Sequence, residues 1–170
     1  MRHRPCFHNR SDSRKGLSKG SLFFCALLSA AAGPAFADAL IDATKPERLY
    51  EIARGFGSAE LDKDSQGDPR ITGRIEGTKY GIYFYGCVKG ADCDDIQFSA
   101  SWSGPKVSLE KINDWNRTKR FGKAYLDKDG DPNLEMEVNL DYGVSAKNIE
   151  DSFNWWTKAL KEYKKVVLEE

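Results

Sequence analysis

Beyond His8 the chain has no histidine, and beyond Cys25 it has one pair of cysteines, Cys87 and Cys93. Once the first stretch is set aside, histidine-based triads, histidine-containing zinc sites and four-cysteine zinc sites are excluded with it. Beyond Gly16-Leu17-Ser18-Lys19-Gly20, which lies in that first stretch, no Gly-x-Ser-x-Gly motif occurs, and a nucleophile with its base cannot be assembled. Apolar runs are short as well. The longest, Ser21 to Ala32, spans about a dozen residues, where a membrane-crossing helix needs roughly 20. Nor is there a basic excess, because 26 Lys and Arg balance 26 Asp and Glu among 170 residues.

That balance combines two unlike segments. Arg2, Arg4, Arg10, Arg14, Lys15 and Lys19 face only Asp12 before residue 21, which leaves 20 basic and 25 acidic residues downstream. An acidic remainder lacks the basic surface that displaces counterions from phosphates, and this argues against a nucleic-acid partner. The first 20 residues are basic and polar, the apolar run follows, and Gly33 and Pro34 break it before Ala35-Phe36-Ala37. This is the three-part pattern of an export signal. A signal peptide is expected over residues 1–37, cleaved between Ala37 and Asp38. Phe23 and Phe24 stand before Cys25 where a lipoprotein has small residues. The expected compartment is the periplasm of a Gram-negative bacterium or the exterior, with no stable membrane span after signal removal.

Residues 38–170 form one expected domain, long enough to bury its own core. Thr44, Pro46 and Glu47 read as a helix start, with Leu49, Ile52, Ala53 and Phe56 at helical spacing over 45–56. Four strand-like runs follow at 59–63, 70–76, 80–87 and 95–102, joined by turns too short for crossover helices, which predicts an antiparallel meander. Ile96, Phe98, Ala100 and Trp102 alternate with polar residues, the period of a strand with one wet face. Ser108 caps a helix with an inward stripe of Leu109, Ile112 and Trp115. A hairpin, 123–126 with 133–140, follows, and Ser145 caps a last helix carrying Ile149, Phe153, Trp156, Leu160, Tyr163 and Val167. The expected fold is α+β, an antiparallel sheet with packed helices in the order α-β-β-β-β-α-β-β-α.

Cys87 and Cys93 flank a loop between antiparallel strands and, in an exported protein, are expected to form a disulfide. Asp127, Asp129 and Asp131 are candidate weak metal ligands, since hard cations take several oxygens from a flexible turn. The calcium-loop pattern fails in detail: Gly130 comes too early and Val138 stands where a bidentate Glu belongs. The stretch Leu126–Pro132 also echoes Leu61–Pro69, and hairpin-turn chemistry explains both. The many aromatics are expected in the core. Trp155 is the exception, because it adjoins inward Trp156 on a helix and must point elsewhere, as a candidate partner surface. Asn113 and Asn116 are expected to bond locally at a helix–sheet junction.

The run from Asp68-Pro69-Arg70-Ile71 through Gly77-Thr78-Lys79-Tyr80 to Tyr83-Phe84-Tyr85-Gly86-Cys87, followed by Cys93 to Phe98, resembles the YbjN family of bacterial proteins. So do Ile112-Asn113-Asp114-Trp115-Asn116 and Arg120-Phe121-Gly122-Lys123-Ala124-Tyr125, in the family's order and spacing. The resemblance spans roughly residues 45–165. It implies a fold similar to the type III secretion chaperones and a role in sensory-transduction regulation, and it carries no catalytic residues or cofactor. The export signal and the cysteine pair depart from the cytoplasmic members. The expectation is a non-enzymatic periplasmic protein-binding or regulatory module whose partner is an envelope protein or a second copy in a homodimer. The competing reading is a domain that binds a small ligand or divalent metal through the Asp-rich turns and the tyrosines of 80–85.

Overall fold

The structure, a computed structural model, describes residues 40–169; the expected signal segment and its junction at Ala37 and Asp38 lie outside them. Helix α1, Pro46–Ala53, begins on a proline whose missing N–H has no helical partner to lose. Its cap differs from expectation. Thr44 donates its N–H and hydroxyl to Asp42 Oδ1 at 3.0 and 2.5 Å, and Lys45 takes the N-cap place with no side-chain bond. The ionised acceptor two residues upstream captures the threonine in a local turn.

Strands β1 (Ser58–Lys63), β2 (Pro69–Ile75), β3 (Thr78–Tyr85) and β4 (Asp95–Ser101) form the meander. Helix α2, Leu109–Thr118, follows, then β5 (Lys123–Leu126), β6 (Pro132–Asn139) and α3 (Ala146–Tyr163). A π-helical turn, Lys164–Leu168, extends α3 and was not visible in the side-chain spacing. Ser108 and Ser145 cap as expected, accepting from Lys111 N and Asn148 N at 3.3 and 3.2 Å. The element order matches the sequence expectation.

The six strands make one antiparallel sheet in the order β1-β2-β3-β4-β6-β5. Because α2 separates β4 from β5, the last hairpin turns back and lays β6 against β4, with β5 at the edge. Register then sorts the side chains. Ile96, Phe98 and Ala100 oppose Val138, Met136 and Leu134 on one face, while Gln97 and Ser99 oppose Glu137 and Glu135 on the other.

The apolar face is closed mainly by α3. Phe153, Trp156, Leu160 and Tyr163 are buried there with Phe98, Ile71 and Ile82. Phe98 meets Phe153 edge-on at 4.9 Å and Trp156 at 5.6 Å, and Phe56 stacks on Phe153 at 4.8 Å. Helix α2 buries Ile112 and Trp115, but Leu109 is 67% exposed rather than inward. The first turn of α2 lies beyond the packed interface, so correct periodicity did not secure a neighbour.

The two loops that echo each other prove to share Asp-x-x-Gly-Asp-Pro, aligned as Asp64–Pro69 with Asp127–Pro132. The alignment on Leu61 and Leu126 is therefore shifted. In each loop the first Asp donates its N–H to the carbonyl of the second, at 2.9 and 3.0 Å, and its own carbonyl accepts from the glycine. Gly67 and Gly130 have φ of 90° and 80°, where a Cβ is strained.

Phe153→Ala should lose about 3–5 kcal/mol of unfolding free energy, the cost of emptying a buried aromatic site. Leu109→Ala should cost under about 0.5 kcal/mol as a surface change. Chemical denaturation of the two variants beside the parent checks both, and an equal loss would contradict the packing described.

Candidate functional site

Two surfaces collect the polar and aromatic groups that the core does not use. The first is the sheet face that no helix among the described residues covers. Strand alternation that sends Tyr80, Ile82 and Phe84 inward sends Tyr83 and Tyr85 outward, beside Gln97 on β4 and Glu135 and Glu137 on β6. Tyr85 donates its hydroxyl to Gln97 Oε1 at 3.3 Å, and Gln97 Nε2 donates to Glu137 at 3.0 Å and Glu135 at 3.4 Å. Lys123 Nζ sits 2.8 Å from Glu135 and 3.4 Å from Glu137, and Tyr125 donates to Glu135 Oε1 at 2.8 Å. This lattice crosses four strands and buries Glu135, while Tyr85 and Glu137 stay exposed as a wet face requires. At the far side Arg70 grips Asp62 through two bonds of 2.9 and 2.7 Å, joining β1 to β2.

The electrostatics follow from these partners. Arg70's hydrogen bonds hold the Asp62 carboxyl below its ordinary value, and Glu135 raises the Lys123 ammonium. Burial pushes Glu137 upward, but hydrogen bonds from Gln97 and its own backbone, with the Lys123 charge, outweigh it and leave the carboxyl low. Burial, helped by the Glu135 acceptor, raises the Tyr125 phenol to about 12. Burial alone lifts Tyr80 to about 12, and its hydroxyl has no hydrogen-bond partner among the described residues.

The second surface is a cleft of about 220 Å³ between the C-terminal turn of α2 and the middle of α3. Trp155, Lys158, Ala159 and Glu162 line it at spacings of three and four residues, a stripe beside the buried one. Trp155 is 38% exposed and stacks on Phe121 with ring centres 4.5 Å apart. Lys158 stands 4.5 Å over the Trp155 ring and Arg120 5.6 Å over Phe121. Lys119 is already engaged by Glu162.

The remaining sequence candidates fall elsewhere. Cys87 and Cys93 are disulfide-bonded, in a loop that reverses at Lys89 and Gly90, with Val88 and Ala91 bridged. Asp127 Oδ1 accepts from the N–H groups of Asp129 and Asp131, both at 2.9 Å. These bonds hold its carboxyl below the usual range and turn it toward backbone. Among the described residues no three His, Cys, Asp or Glu side chains gather as a metal site. Asn116 clasps Ala124 on β5 through both its amide groups, at 2.9 and 2.8 Å, whereas Asn113 is exposed. The tyrosines of 80–85 split between faces, Tyr80 in the core and Tyr83 and Tyr85 outside. Ser108 and Lys111 have a Ser-x-x-Lys spacing, but Ser108 serves as the helix cap and Lys111 pairs with Glu169. Side-chain spacing does not reveal the lattice, because β4–β6 pairing is invisible along the chain; the outward Gln97, Glu135 and Glu137 are its one signal.

The family model described as "Putative bacterial sensory transduction regulator", YbjN, matches residues 45–169. The chain belongs to the YbjN family. The match runs from the start of α1 to the end of the described residues, so both surfaces lie within the YbjN domain. No curated protein matches the chain. Among the described residues, no helix is long and apolar enough to cross a membrane.

Two measurements follow. Tyr80 and Tyr125 have folded-state values raised from 10 to about 12, so the fold favours the neutral phenols. Their stabilisation is complete below pH 10 and is lost as pH climbs through about 12. Tyr80→Phe should flatten the alkaline fall of the urea midpoint and cost under about 1 kcal/mol at neutral pH, since no hydrogen bond is removed. An unchanged alkaline slope would count against the burial argument. Separately, calcium should leave the melting temperature of the YbjN chain unmoved, because binding to the folded state alone would raise it.

Proposed function

We propose that this YbjN domain is a non-enzymatic periplasmic module that regulates by binding an envelope protein through the cleft between α2 and α3. The observation that carries the reading is the half-exposed Trp155–Phe121 stack. Exposed aromatic anchors beside a pocket are the residue type that dominates protein interfaces. A stripe of Trp155, Lys158, Ala159 and Glu162 offers a partner an apolar contact with charged flanks. Support for the compartment comes from the three-part N-terminal pattern and from the Cys87–Cys93 bridge, a bond that persists in oxidising surroundings. Scarcity of histidine and of any nucleophile constellation supports binding over catalysis. The open-face lattice is read as structural, because its members satisfy one another.

Crosslinking in the periplasm of the native host, with capture of the full chain, tests this. The parent and Val88→Ala, a change at a distant exposed position, should capture the same partner, whereas Trp155→Ala should lose at least about ten-fold of it, as interface anchors do. The variant's melting curve should stay close to the parent's. No reproducible partner, or capture indifferent to Trp155, would overturn the proposal; a product of twice the chain's mass would identify a second copy as the partner.

A further inference from the structure

We infer that the segment seated in the α2–α3 cleft is acidic, with carboxylates that pair with Arg120 and Lys158 while an apolar side chain lies against the Trp155–Phe121 stack. This rests on the protein-binding reading and adds the chemistry of the partner. The downstream chain is acidic by five charges, yet the cleft is lined by Lys119, Arg120 and Lys158 against a single carboxylate, Glu162. Glu162 is committed to Lys119. Arg120 and Lys158 take part in none of the ion pairs found among the described residues, and each instead stands over one ring of the stack.

A cation over an aromatic face keeps its outer N–H groups free to donate, so carboxylates approaching the rim meet two preplaced donors. Those donors flank an apolar floor of the size of one side chain, about 220 Å³. A broad anionic surface fits less well. Glu150 and Asp151 are exposed on α3, about one turn before Trp155, and neither lines the cleft; a flat anionic bilayer would press on both, whereas a short peptide need contact only the cleft lining.

The test uses the purified protein with labelled tryptophan indoles, the Trp155 signal being assigned with Trp155→Phe. The probe is a capped pentapeptide of four glutamates around a central leucine, and its control replaces each glutamate with glutamine. The acidic peptide should shift the Trp155 indole saturably, and more weakly as salt is raised. The glutamine peptide should bind at least about ten-fold more weakly, and R120Q/K158Q should lose the same factor, the combined worth of two modest ion pairs. Equal binding of both peptides, no shift with either, or a shift with phosphatidylglycerol vesicles in place of the peptide would overturn the inference. Periplasmic capture with R120Q/K158Q separates the two levels. If the partner is retained while the peptide discriminates nothing, the acidic chemistry falls and protein binding stands; if the parent captures no partner, the underlying reading falls whatever the peptide does.

Discussion

The edge-to-face contact between Phe98 on β4 and Phe153 on α3 is where the sheet and its covering helix are joined. An antiparallel sheet alone leaves both faces in water, and only a packed layer turns one of them into a core. Phe98 lies on a central strand, with β3 on one side and β6 on the other. Phe153 carries the contact outward to Phe56, just past α1, and Trp156 continues it along α3. Tyr163, two turns further, meets Trp115 of α2 at 5.0 Å and so brings the third helix to the same helix face. The helices are thereby placed relative to the strands by two groups of aromatic contacts, both anchored on α3.

Covering one face defines the problem of the other. With no helix among the described residues over them, the outward groups of β3, β4, β6 and β5 satisfy one another sideways, through Tyr85, Gln97, Glu135, Lys123 and Tyr125. The effect is to bury a carboxylate, Glu135, on a face that alternation alone marks as exposed. Such a network is stable only if each member keeps its partner. The Asp62–Arg70 clasp gives the edge strand β1 a similar tie through a directly opposed pair.

The cleft arises where this economy ends. Trp156 enters the core, so the neighbouring Trp155 must leave it by about 100°, the helical rotation per residue. It finds Phe121, which the turn after α2 delivers, and the two rings shield each other only in part. Arg120 and Lys158 beside those rings join none of the ion pairs among the described residues and rest on aromatic rings instead, as Arg54 rests on Tyr50, but only these two flank a cleft. The proposed function and its acidic partner both derive from that local imbalance.

Element types, their order and the two serine caps were legible because alternation, three-and-four spacing and capping chemistry are local properties. The outward direction of Trp155 was equally local. Leu109 and Thr44 depart from the local expectation for the converse reason: a helical stripe does not say where its neighbour ends, and a capping residue does not reveal a nearer carboxylate. The shared Asp-x-x-Gly-Asp-Pro motif stands in the sequence, but the equivalence of the two loops rests on the same bonds reversing the chain in each. By itself, the order of residues determined which segments form helices or strands, which side of each is apolar, and the family to which the chain is similar. Tertiary structure alone decided that β6 lies beside β4, that Glu135 is buried among donors and that Phe121 meets Trp155. These outcomes depend on contacts between residues distant along the chain, and no local periodicity encodes which distant surface will arrive.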